Sequence, residues 1–236
     1  MAAGGAMIGP RRPRPITYEG ISVQQDWLLR MIQQLSVFIA GIKKMRQKGE
    51  WTAVHAAIAD GIGRFAGLNA SLVHAISEED LIQLLSTRGG IDLDRWWALA
   101  ELMREEGLSL EAQGDIEGAE RAYTKSLRLA LEVLAEVDEI PAYLNVSDLE
   151  LVIDRMIDRP LAPGTRAELV GYLVTTGRFD KAENLILWAA EEGGGTTQRE
   201  AHAFYERLSR NDDAELEIGG LSRSEVEDGL ARFRDA

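Results

Sequence analysis

The chain has 236 residues, 45% of them apolar, with six prolines, no cysteine and a net charge of −13. That length buries a sizeable core, and the missing thiols exclude a disulfide framework and thiolate metal sites. No apolar run approaches the roughly 18–20 residues of a membrane span, and the first 15 residues lack the apolar core and cleavage site of a signal peptide, so a cytoplasmic protein without a membrane partner is expected.

The charge is unevenly spread. Residues 1–50 hold eight Lys/Arg against three Asp/Glu, whereas the remainder holds 18 against 36. Residues 1–20, with Pro10, Pro13, Pro15 and four glycines, read as a disordered leader. The basic stretch either combines that tail with a helix end, where cations oppose the helix dipole, or docks on an acidic surface such as a neighbouring copy. The acidic body repels phosphate, so nucleic acid is not expected as its partner.

Leu, Ala, Glu and Arg dominate and β-branched alternation is scarce, which makes the fold class all-α. A long amphipathic helix is predicted from Ser22 to Lys48, its stripe Val23, Trp27, Met31, Leu35, Ile39, Ile42 and Met45 recurring every three or four residues. Gly49 stops it. Three segments align on such a stop: "KGEWTAVHAAI", "QGDIEGAERAY" and "TGRFDKAENLI". After Gly49, Gly114 or Gly177 comes a large apolar residue (Trp51, Ile116, Phe179), then a compact one (Val54, Ala119, Ala182), then another large one (Ile58, Tyr123, Ile186). The glycines stand 65 and 63 residues apart, the signature of an internal repeat. Extra short helices are predicted over 77–86, 147–159 and 222–233, each opening Ser-x-x-acidic as a capping box. Breaks are expected at Thr87–Gly90, Asn145, Arg159–Gly164, Gly193–Gly195 and Gly219–Gly220. The chain thus divides into a leader (1–20), a first hairpin with its capping helix (21–90), a second (91–160), and a third hairpin with terminal helices (161–236).

Gly107, Leu110, Gly114 and the pair Ala119-x3-Tyr123 resemble the tetratricopeptide repeat, W-x2-L-G-x2-Y followed by A-x3-F. The third unit keeps Leu173, Gly177, Ala182 and Ala189 but has Val170 at a small-residue position; the first has Val54 in place of alanine. The resemblance implies helical hairpins stacked as a short solenoid, with capping helices between them. The opening "QQDWLLRMIQQLSVFIAGI", continuing to about residue 137, also resembles an uncharacterised bacterial family of tetratricopeptide-like proteins, a domain of unknown function, which implies a fold and no activity.

Chemistry is harder to find. His55, His74 and His202 lie in different predicted helices without the H-E-x-x-H or E-x-x-H spacing of a metal site, and read as surface or packing histidines. "GIGRFAG" (61–67) has dinucleotide-loop glycines but follows a helix, so it reads as a glycine-weakened helix end. The carboxylate pairs Glu101/Glu105, Glu78/Glu79 and Asp212/Asp213 read as solvated faces rather than a catalytic pair. No catalytic residue, metal or cofactor is expected.

In a tetratricopeptide hairpin the first helix lines the groove. That face of the middle unit carries Trp97, Glu101, Arg104 and Leu108, while Trp96, Ala100, Met103, Gly107 and Leu110 face the core. The first unit contributes Ile39, Lys43 and Arg46 to the groove, and the third Ala167, Gly171 and Val174. Trp97 either meets a partner there or lies under the helix at 77–86. A groove running basic, mixed, then apolar suits an extended or helical peptide. The expected function is therefore a non-enzymatic adapter or scaffold binding a protein or peptide partner; the alternative is a self-assembling homo-oligomer.

Overall fold

The computed structural model describes residues 18–86, 92–137, 146–192 and 195–234, with side chains of the first helix from Arg30 onward and none for residues 192–197. Among the described residues there are twelve α-helices and no strand. They are α1 (Tyr18–Gln47), α2 (Trp51–Gly61), α3 (Ala70–Ala75), α4 (Glu78–Ser86), α5 (Leu93–Ala112), α6 (Ile116–Ala135), α7 (Val146–Met156), α8 (Pro163–Thr175), α9 (Phe179–Glu192), α10 (Gly195–Leu208), α11 (Asp213–Ile218) and α12 (Arg223–Arg232). A π-helical turn, Ile62–Ala66, extends α2 and ends at Gly67.

The three aligned glycines are equivalent in the fold. Gly49, Gly114 and Gly177 have φ of +72°, +82° and +70°. The residue after each donates its N–H to a carbonyl five positions back: Glu50 to Met45, Asp115 to Leu110 and Arg178 to Leu173. This is the left-handed C′ cap that satisfies the last carbonyls of a helix while turning the chain. Gly220 forms a fourth such corner, with φ +84° and a bond from Leu221 N–H to the Leu216 carbonyl. Each corner joins consecutive helices, α1 to α2, α5 to α6, α8 to α9 and α11 to α12, and the first three pairs pack on one another. Val54, Ala119 and Ala182 are all buried, as are Ile58, Tyr123 and Ile186. The preceding apolar position is not equivalent, since Phe179 is buried whereas Ile116 is half exposed.

Close approach explains Gly107. A Cβ there would stand 2.5 Å from the Tyr123 ring, so position 107 of α5 must be glycine to leave room for the tyrosine of α6. The hairpin is then fastened at its open corner, where the Tyr123 hydroxyl donates to Glu111 Oε2 at 2.7 Å. The same tyrosine-to-glutamate bracket recurs as Tyr172 to Glu150 (3.0 Å) and Tyr205 to Glu183 (2.8 Å).

Helix α5 packs against α1, α2, the π-helical turn and α6, and α6 packs in turn on α4, α7 and α8. The chain continues through α8 on α9, α9 on α10 and α10 on α12. One contiguous apolar cluster runs from Leu35 to Phe233. Because it is surrounded, α5 is buried on nearly every face, including Trp96, Trp97, Leu99, Leu102 and Met103, each large apolar side chain contributing about 1.5–3 kcal/mol.

Three boundaries differ from expectation. The first helix begins at Tyr18 rather than Ser22, so Tyr18–Gly20 are helical and only residues 1–17 of the expected leader lie outside the described residues. Helix α7 starts at Val146, which leaves Ser147 inside it and puts Asp148 in its first turn. The segment 61–67, read as a glycine-weakened helix end, carries the π-helical turn, and the short helix α3, whose cap Asn69 accepts from Leu72 N–H, follows it without having been expected. The Ser77 and Ser222 caps are present, and Asp212 forms a further capping box with Glu215. The breaks expected at Thr87–Gly90 and Asn145 lie outside the described residues.

Candidate binding cleft beside a buried charge network

The α1–α5 crossing sets Lys43 and Arg46, one turn apart on α1, against Glu101, Arg104 and Glu105 on α5. Asp148, at the start of α7, closes the group. Arg104 is 2% exposed and Glu105 fully buried. Arg104 Nη2 lies 2.9 Å from Glu101 Oε2 and 3.0 Å from Glu105 Oε1, and its other terminal nitrogen pairs with Asp148. Arg46 reaches Glu105 at 3.3 Å and Lys43 reaches it at 3.8 Å. Three cations thus meet three carboxylates, with Arg104 and Glu105 buried at the centre and Lys43 partly exposed at the edge.

The titration of these groups follows from their burial. Loss of water pushes the Glu101 carboxyl up to about 7, against the pull of Arg104, with Asp148 and Glu105 adding to the rise. Burial also pulls on Arg104, but Glu101, Asp148 and Glu105 more than offset it and hold the guanidinium above its ordinary value. The buried arginine is therefore permanently charged and binds α5 to α7.

A cleft of 210 Å³ opens beside this network, walled by Ser36, Ala40 and Lys43 of α1 and by Trp97 and Glu101 of α5, with Asp148 at its end. Of the ten residues expected on the groove, Trp97, Glu101, Arg104, Ile39, Lys43 and Arg46 gather around this crossing, whereas Ala167, Gly171 and Val174 lie on α8. Leu108 packs against the core instead. Trp97, expected either to meet a partner or to lie under the helix at 77–86, is 6% exposed, with α1 rather than that helix lining the cleft beside it. One expectation is corrected. Glu101 and Glu105 are not a solvated face, because Arg104, Lys43 and Arg46 make their burial tolerable. The core assignment of Trp96, Ala100, Met103 and Gly107 stands.

A second polar group, absent from the sequence reading, lies between α3, α5 and α6. His74 Nε2 is 3.0 Å from Glu106 Oε2, and the Lys125 ammonium donates to the carbonyls of Val73 (2.7 Å) and His74 (3.1 Å), closing the end of α3. The hydrogen bond to Glu106 raises the His74 pKa against partial burial and Lys125. Burial lowers the pKa of Lys125. The signal was spread over residues 74, 106 and 125, too far apart for any local motif. His55 is bonded to Gln113. Among the described residues no three His, Cys, Asp or Glu side chains are placed to hold a metal ion, and no helix is long and apolar enough to cross a membrane.

Fold and cleft together define an all-helical protein of paired helices joined at glycine corners. Residues 22–236 match the family of unknown function DUF6483, and the chain belongs to that family. The match extends well beyond the roughly 22–137 expected from the sequence. Neither the curated proteins nor the solved structures offer a match to this chain.

Proposed function

We propose that this protein is a non-enzymatic, tetratricopeptide-like adapter that receives a protein or peptide partner in the α1–α5 cleft. The observation that carries the reading is the cleft itself. Small exposed residues, Ser36 and Ala40, line it together with charged Lys43, Glu101 and Asp148. Such a trough suits a peptide with an apolar segment beside a polar one. The recurrent glycine corners support the repeat architecture, and a cytoplasmic location accords with the cysteine-free sequence.

The test is a photo-crosslinking residue at Ser36, compared with one at Asp228 on α12. A discrete adduct formed from Ser36 alone, and lost on Lys43→Glu, supports the adapter reading; equal labelling from both positions overturns it. A second reading, self-assembly, is favoured by Val37, which is 75% exposed on α1 beside Ala40 and Gly41. Light scattering separates the two, because only self-assembly makes the mass climb with concentration and fall back on Val37→Glu.

A further inference from the structure

On the other flank of α1, three arginines from three elements converge. Arg30 of α1, Arg64 of the π-helical turn and Arg95 of α5 line a 310 Å³ cleft with Gln34, floored by Met31 and Phe65. In a chain of net charge −13, such a gathering would ordinarily be neutralised by carboxylates. Only one is supplied by the described residues: Asp92, 3.0 Å from Arg95. Arg30 and Arg64 have no carboxylate partner among the described residues.

The cleft is also organised in advance. Arg64 Nη2 donates to Gln34 Oε1 at 3.2 Å, and its guanidinium sits 5.1 Å from the centroid of the Phe65 ring. These contacts hold an exposed arginine that would otherwise sample many rotamers, which lowers the entropy lost on binding. The residue is presented by a π-helical turn, a departure from α-geometry that is frequent at functional sites. Gly67 ends the turn at φ +66°, beside the Arg95 guanidinium.

We propose that this cleft binds a small phosphomonoester. Two guanidinium groups without a carboxylate partner among the described residues match the −1.5 to −2 charge of such a group near neutral pH, and planar guanidinium forks match phosphate oxygens in pairs. Met31 and Phe65 provide an apolar bed for the organic part of the ester. The acidic remainder of the protein does not prevent this, because charges beyond a Debye length of about 8 Å are largely screened. The site is separate from the α1–α5 cleft and stands or falls independently of it.

Titration calorimetry of the full chain with phenyl phosphate, inorganic phosphate and benzoate at equal ionic strength tests the assignment. Phenyl phosphate should bind tightest, inorganic phosphate more weakly for want of the apolar bed, and benzoate weakest for want of the second charge. Arg30→Ala and Arg64→Ala should each weaken phenyl phosphate by about tenfold or more, the loss of a charge-assisted contact. Arg64→Lys should weaken it less, retaining the charge without the fork. Both positions are exposed, so the thermal midpoint should not move. Absence of binding by phenyl phosphate, benzoate binding equally well, or an equal loss on Arg210→Ala at a remote exposed site would each overturn the proposal.

Discussion

Replacing Glu101 with glutamine should stabilise the protein in mildly alkaline solution, although it removes half of an ion pair. The side chain keeps 14% of its surface, and burial outweighs the attraction of Arg104. A carboxyl whose folded pKa lies above its unfolded one holds its proton more tightly in the folded state. Its contribution to stability is therefore complete below the unfolded value and lost as pH rises through the folded one. Between 4.5 and about 7, at about 1.4 kcal/mol per pH unit, the loss is about 3 kcal/mol. Glutamine keeps the shape and cannot ionise, while Arg104 retains Glu105 and Asp148. Urea unfolding of both proteins at about pH 5 and about pH 8 measures the difference, which should shift by about 2–3 kcal/mol in favour of the variant at the higher pH. A difference independent of pH would refute the reasoning, because it would mean that Glu101 is charged in the folded state at both values.

Arg104→Leu should cost about 3–5 kcal/mol, because it leaves buried carboxylates uncompensated, and equilibrium unfolding would show it. Gly114→Val should cost about 1–3 kcal/mol, since a β-branched residue is placed at positive φ; Gly171→Ala, in α8 with nothing near the added methyl, should instead gain about 0.5–1 kcal/mol. Thermal melts of the two variants should therefore move in opposite directions. His74 titrates above its ordinary value, chiefly through its hydrogen bond to Glu106, so its stabilisation is complete below the unfolded pKa of about 6.5 and disappears as pH rises through the folded value. His74→Gln, made in the Glu101→Gln background, should flatten the remaining pH dependence in that window, and a proton NMR titration of the ring should place its midpoint above that of an unfolded peptide.

The helical corners were legible because a left-handed turn needs glycine, and each came with its own buried compact residue three positions after the large one. Gly107 was legible for a related reason, since a small residue in a helix otherwise rich in large ones implies close approach. The burial of α5 was not. Its Trp-Trp pair and its Arg-Glu-Glu run each suggest a half-exposed helix when read against a single partner. Only the crossing of α1 on one side and α6 on the other makes both interior. Asp148 was hidden for a different reason: the Ser147-x-x-acidic pattern was a convincing cap at a helix start that lies upstream. The His74–Glu106–Lys125 group joins three elements and left no local trace.

The α5–α6 hairpin has a bearing on how the chain acquires its structure. Its two helices meet across a tight corner, so its contacts join residues close in sequence and cost little loop-closure entropy. The ion pairs of α5 are different in kind, for Lys43 and Arg46 lie about sixty residues before Glu105, and Asp148 lies over forty after Arg104. A hairpin formed first would expose a polar seam that only the later docking of α1 and α7 can neutralise. Folding should then begin locally and early, while its last step, the capture of that seam, should slow as salt screens the charges that guide it.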